Sequence, residues 1–283
     1  MKRDDYLPQS EKEWLDIGDF EIGRVDINNN SIRYAYYDGS ENNDNLTVMV
    51  GGIPKDPERQ INLPLINKLY GRIAILLANQ GKSSLMFNHA GTGGSSGSLE
   101  IETFGTRIET LKNITEFIAN KNSLSRINFI GMSSGSYIAA RAHALLNKNL
   151  ELNNLVLQSP AAYPIEAENI PYGDNFRDLL NSKWEIKSSP VFKNIMEASQ
   201  LGARVVISYF QKDDANIPID IQNAYFDLTT EMMNNSSDVV TYSIYGVEHN
   251  FRRIGFKPSD NIVNNESVRN TADNIIRIIN DNC

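Results

Sequence analysis

Hydrophobic positions along the chain switch between two periods, alternation by two and recurrence by three and four. Phe20–Ile27 and Ile32–Tyr37 alternate as strands do. Asn28, Asn29 and Asn30 between them predict a hairpin turn, because asparagine tolerates left-handed backbone angles. A polar loop follows, then the short apolar run Leu46–Val50. Beyond it, strand-like runs at Ser84–Phe87, Ile127–Ile130, Leu155–Leu157, Ala203–Phe210 and Val239–Ile244 alternate with helix-like stretches. The helical stretches span about 63–80, 102–120, 134–147 and 218–233, and a last one carries Val268, Ala272, Ile275, Ile276 and Ile279 on one stripe. Antiparallel strands followed by alternating strand and helix predict the α/β class, a mostly parallel sheet with helices on both faces. Residues 160–200 show no strand pattern and exceed a normal connection. They predict a small helical cap inserted into a core made of 1–159 and 201–283.

Composition narrows the function classes. A chain of 283 residues fits one α/β domain. A formal charge of -8 and the lack of a basic run argue against a nucleic-acid partner. The single cysteine, Cys283, offers no internal disulfide and no cysteine metal site. No apolar run follows Lys2 and Arg3, so no secretory signal is expected, and no stretch approaches the length of a membrane span. The expectation is a cytoplasmic protein. Gly81-Lys-Ser83 imitates the end of a phosphate-binding loop, but Leu76 stands where its first glycine belongs. Ser96 likewise replaces the third glycine of a dinucleotide fingerprint begun at Gly91 and Gly93. With no metal-ligand spacing either, no cofactor and no metal are expected.

Two Gly-x-Ser-x-Gly frames occur, around Ser95 and around Ser133. Ser133 follows an apolar strand and precedes the helix former Tyr137–Leu146. A serine on such a turn is pushed out of the sheet edge, and the flanking glycines relieve crowding. Ser95 lacks a helix directly after it and reads as part of a flexible, glycine-rich crossing. A nucleophilic serine needs a base. Of three histidines, His143 lies inside the helix after Ser133, and His89 precedes the serine and could line the pocket. His249 follows the strand Val239–Ile244, at the sheet edge where open sheets place ligands. A carboxylate must orient that imidazole, and both Asp213 and Asp214 follow the strand ending at Phe210. Two backbone N–H groups should face the developing oxyanion: those of Ser134, after the nucleophile, and Ile53, in the loop Gly51-Gly-Ile-Pro54. Gly52 lets that loop approach the substrate.

Assembled in this order, the residues resemble the α/β-hydrolase family, whose elbow serine, aspartate and histidine follow one another along the chain. The resemblance runs from about residue 18 to the end. Asp214-Ala-Asn-Ile-Pro218 is similar to the family's Asp-x-x-Val-Pro, which favours Asp214 over Asp213. Gly246-Val-Glu-His249 resembles Gly-x-Gly-His, and Asn88–Ser95 resembles Asp-x-Arg-Gly-x-Gly-x-Ser. Departures lie at Gly51, where the family usually has histidine, and at Asn88, Ala90 and Glu248. A serine at the elbow implies a branch other than dehalogenases and epoxide hydrolases.

The expected activity is a serine hydrolase that cleaves a carboxylic ester through an acyl-enzyme, with Ser133, His249 and Asp214 as triad. A peptidase, thioesterase or acyltransferase would use the same triad, and a non-catalytic binding protein is a remoter alternative. The expected partner is a small-molecule acyl substrate, and a homodimer is compatible with this reading. In the cap, Tyr163, Tyr172, Phe176, Trp184 and Phe192 offer either an acyl pocket or the cap's own core. Glu166 and Glu168 offer either a site for a cationic group, such as a peptide amino terminus, or solvated surface.

Overall fold

The computed structural model describes residues 20–39, 44–53, 68–212, 217–235, 238–248 and 261–280. Its first elements are a hairpin, β1 (Phe20–Ile27) and β2 (Asn30–Tyr37), paired antiparallel in full register. The turn needs two residues with positive φ, and Asn28 (50°) and Asn29 (63°) supply them. Then come β3 (Asn45–Val50), α1 (Lys68–Ala78), β4 (Ser83–Phe87), α2 (Phe104–Lys121), β5 (Arg126–Met132) and α3 (Ser134–His143). The second half contains β6 (Glu151–Gln158), α4 (Asp174–Asn181), α5 (Pro190–Gln200), β7 (Arg204–Lys212), α6 (Ile219–Asn234), β8 (Val239–Glu248) and α7 (Asn261–Asn280).

The eight strands form one sheet in the order β1-β2-β4-β3-β5-β6-β7-β8. Pairing is antiparallel at β1/β2 and β2/β4 and parallel from β4 onward. Because strand side chains alternate in direction, each central strand feeds two cores. Leu46, Val48, Ile127, Phe129, Leu155, Leu157, Val205 and Ile207 join the core under α2, α3, α5 and α6. Met49, Ile130, Val156 and Val206 join the opposite core, where Leu69, Ile73 and Leu77 of α1 meet Ala272, Ile275 and Ile276 of α7. The α/β expectation is met.

Several boundaries differ from the sequence pattern, two of them for reasons visible in the contacts. β6 starts four residues earlier, because Asn154 is not a strand breaker here. Its side-chain amide donates to Asn128 Oδ1 (2.7 Å), and the Asn128 amide donates to Thr47 Oγ1 (3.1 Å). This buried polar ladder ties β6, β5 and β3 together across the sheet. α3 ends at His143 rather than 147, as the chain tightens into bonds from Leu145 N–H to Ala142 O and from Leu146 N–H to His143 O. Between β6 and β7, residues 160–200 hold short 3-10 turns at Ile165–Asn169 and Ile186–Ser188 besides α4 and α5. α5 buries Val191, Ile195 and Ala198 in the larger core and supplies the crossover that two parallel neighbours require. None of the described helices is long and apolar enough to cross a membrane.

Removing the middle rung of the ladder strands two buried polar partners. Asn128→Ala should destabilise the fold by about 2–3 kcal/mol, read as a shift of the urea midpoint at unchanged slope.

Candidate active site

Ser133 stands between the last residue of β5 and the first of α3, with φ 55° and ψ −126°. A positive φ on a non-glycine residue costs on the order of 1–3 kcal/mol and persists only where the surroundings impose it. Here the backbone is held on both sides. The Ser133 N–H donates to Gln158 O (2.9 Å), and its carbonyl accepts from Ser136 N–H (3.0 Å) and Ala161 N–H (3.3 Å). The Ser133 hydroxyl makes no capping bond to α3. The residue is half-buried at the sheet edge, and its hydroxyl is not consumed by the helix end.

The flanking glycines are there for space. A Cβ at Gly131 would lie 2.6 Å from Gly135 O, and a Cβ at Gly135 would lie 2.2 Å from Val50 O. Neither glycine has a positive φ; the strained angle belongs to the serine itself. Val50 O is in turn fixed by the buried Tyr70 hydroxyl of α1, which donates to it at 2.6 Å. Burial pushes that phenol's pKa well above its ordinary value, so it stays a donor. Tyr70 lies far from the elbow in sequence, and no motif marked it.

The loop after β3 meets the elbow. A Cβ at Gly52 would sit 3.0 Å from Ser134 Oγ and 3.6 Å from Ser133 Cβ. The Ile53 N–H points the same way and donates to Ser134 Oγ at 2.8 Å. Tyr163, in the segment after β6, lies near the Ser134 side chain. Gly52, Ile53, Ser133, Ser134 and Tyr163 are thus brought together. Asp213, Asp214 and His249 lie outside the described residues. β7 ends at Lys212 and β8 at Glu248, and these two residues are register partners at the same edge of the sheet as Ser133.

Ser95 has a different fate. Its hydroxyl donates to Asn88 O (2.7 Å) and accepts from Arg33 N–H (2.9 Å), while Ser96 Oγ accepts from Ser31 N–H. The expected flexible crossing is instead pinned to β2, and Asn88, at the family's usual aspartate position, closes it by donating to Gly93 O. His89 is buried, edge-on to Phe87. Burial first, and the nearby Arg107 charge second, keep its pKa well below the usual histidine range. It sits against Phe87 of β4 and near Arg107 of α2.

The aromatics between β6 and β7 pack on Phe104 of α2 and on one another. Phe104 is the hub, with ring centroids 4.3 Å from Tyr163, 5.2 Å from Tyr137, 5.4 Å from Tyr172 and 5.5 Å from Phe176. Phe192 instead packs on Tyr225 of α6, and Trp184 lies half-buried against the same core. Glu168 is neither solvated surface nor a free anion. It accepts from Arg141 Nε (2.5 Å) and Tyr137 Oη (2.8 Å), both on α3, and Arg141 also donates to Asn194 of α5. Glu166 is exposed. Among the described residues, no group of His, Cys, Asp and Glu is arranged to hold a metal ion.

Residues 67–227, more than half of the chain, match the family model described as serine aminopeptidase, S33. The chain belongs to this α/β serine hydrolase family. Similar solved structures cover nearly all of it. XC6422 from Xanthomonas campestris, an α/β serine hydrolase without lid, is 14% identical over 92% of this chain and 94% of its own, with a TM-score of 0.57. Est1E from Butyrivibrio proteoclasticus, solved with ferulic acid, is 15% identical over 90% and 99%, also at 0.57. An α/β serine hydrolase homologue from Coxiella burnetii is 16% identical over 89% and 95%, at 0.52. At these identities the likeness concerns the fold. No curated protein matches this S33-family hydrolase in sequence.

The close approach at the elbow predicts a stability effect. Gly135→Ala forces a methyl group against backbone rather than a yielding side chain. It should cost about 3 kcal/mol, seen as a lowered thermal midpoint together with lost hydrolase activity.

Proposed function

We propose that this hydrolase cleaves carboxylic esters through an acyl-enzyme formed on Ser133, with His249 as general base and Asp214 as its orienting acid. The observation that carries the proposal is the Ser133 elbow: a strained, uncapped serine at the carboxyl edge of the parallel sheet. In this reading the Ser133 hydroxyl attacks the ester carbonyl as His249 takes its proton, and the imidazolium then protonates the leaving alcohol. Water, activated by the same imidazole, releases the acid. Backbone N–H groups of Ser134 and Ile53 face the oxyanion. Strand register supports the placement of the other two members. Asp213 and Asp214 follow Lys212 and His249 follows Glu248 within two residues along the chain, and Lys212 and Glu248 are register partners.

One contact weighs against aminopeptidase action at Glu168, while Glu166 stays exposed. An aminopeptidase must hold the substrate's ammonium group, and Glu168 is already bound by Arg141 and Tyr137. A thioesterase or acyltransferase would share the acyl-enzyme and differ in the acceptor. Residues 160–200 are read as the cap, with α5 serving the core as well.

Turnover of a small nitrophenyl ester tests the triad. Ser133→Ala should abolish it, and Asp214→Asn should lower the rate about 10⁴-fold. A more severe loss in Asp213→Asn than in Asp214→Asn would move the acid to position 213. Added alcohol or amine that captures the acyl group in preference to water would identify an acyltransferase.

A further inference from the structure

The Ile53 N–H does not stand open toward an incoming oxyanion. It donates to Ser134 Oγ at 2.8 Å, and Ser134 is buried with Gly52 close beside its hydroxyl. A hydroxyl that accepts one hydrogen bond still has its own proton to give. Accepting from an N–H polarises the O–H and makes it a stronger donor, and a donor–oxyanion bond is charge-assisted. The third group in the cluster is the Tyr163 hydroxyl, which lies near the Ser134 side chain. The Tyr163 ring is clamped against Phe104 and Tyr137, and its backbone carbonyl accepts from Ser189 Oγ, so its hydroxyl position is set by the cap.

We infer that the Ser134 side chain is a catalytic residue: its hydroxyl, held by the Ile53 N–H, is the second donor to the oxyanion, and Tyr163 positions it. The inference rests on Ser133 as nucleophile and revises only how Ile53 takes part. The Ile53 amide acts through Ser134 Oγ rather than on the substrate directly. In the resting enzyme Ser134 O–H faces Tyr163 Oη. When the tetrahedral intermediate forms, the oxyanion competes for that proton with full negative charge and takes the hydrogen bond. Ser134 keeps its own proton: as Ser133 Oγ bonds to the carbonyl carbon, the Ser133 proton passes to His249 and the carbonyl π electrons become the oxyanion that Ser134 O–H binds.

The test is steady-state hydrolysis of nitrophenyl acetate by the full chain, with phenylboronic acid as a tetrahedral mimic. Ser134→Ala should lower kcat about 10²-fold, the usual cost of one oxyanion donor, with KM changed less than about threefold. The inhibition constant of phenylboronic acid should rise by a similar factor. Ser134→Thr, which keeps the hydroxyl, should retain most of the activity. Tyr163→Phe removes one oxygen from an otherwise unchanged ring and should lower kcat by roughly tenfold, again with little effect on KM; it decides the matter if Ser134→Ala does not fold. An unchanged or faster kcat in Ser134→Ala, with Ser133→Ala inactive, would overturn the relay alone and return Ile53 to direct donation. Activity surviving in Ser133→Ala would overturn the nucleophile assignment and the relay with it.

Discussion

The site depends on one strained backbone position. Ser133 is held at φ 55° because β5 and α3 approach too closely for any gentler turn. That approach exists only because residues 131 and 135 carry no side chain: a methyl group at either would run into backbone oxygen. The strain is met by neighbours on both sides, with Gln158 O taking the Ser133 N–H and Ser136 and Ala161 donating to its carbonyl. Strand β6 thus reads out the position of the elbow, and β3 sits under it through Val50 O, itself pinned by Tyr70. The same crowding that costs stability keeps the serine hydroxyl off the helix end.

The segment between β6 and β7 is tied to this element rather than resting on it. Tyr137 and Arg141 lie on α3, one and two turns beyond the elbow, and both bind Glu168. Arg141 continues to Asn194 on α5. The side chains of Arg141 and Glu168 are only 17% and 14% exposed, so the pair works in a poorly screened setting where losing one partner is costly. Movement of the 165–169 turn would therefore be felt by the helix that begins at the Ser133 elbow.

Much of the fold was legible because period and punctuation agree. Alternation marked β1 and β2, and the asparagines between them are the residues that adopt its positive φ values. The stripe Phe104, Ile108, Leu111, Ile114 and Ile118 is buried as one face of α2. Where polar residues have buried partners, the pattern misled. Asn154 cut β6 short on paper, yet it belongs to a ladder whose other rungs are 26 and more residues away. The elbow was legible for the same reason as the hairpin, since strand, glycine, serine, glycine and helix are contiguous. Contacts made across the fold had no such signature. Tyr70 on Val50, Glu168 on Arg141 and Ser134 on Ile53 join residues 20 to 81 positions apart. The glycine-rich loop around Ser95 read as slack because glycine permits freedom, whereas its serine hydroxyls spend that freedom on fixed bonds to β2.

The central claim is that folding makes one serine of this chain reactive. Treating the native protein with a fluorophosphonate and mapping the modified peptide tests it most directly. A single adduct on Ser133, absent from Ser95 and Ser134 and lost when the protein is unfolded first, is the predicted result. An adduct on another serine, or a native protein that stays unmodified while a reference serine hydrolase is labelled, would contradict it.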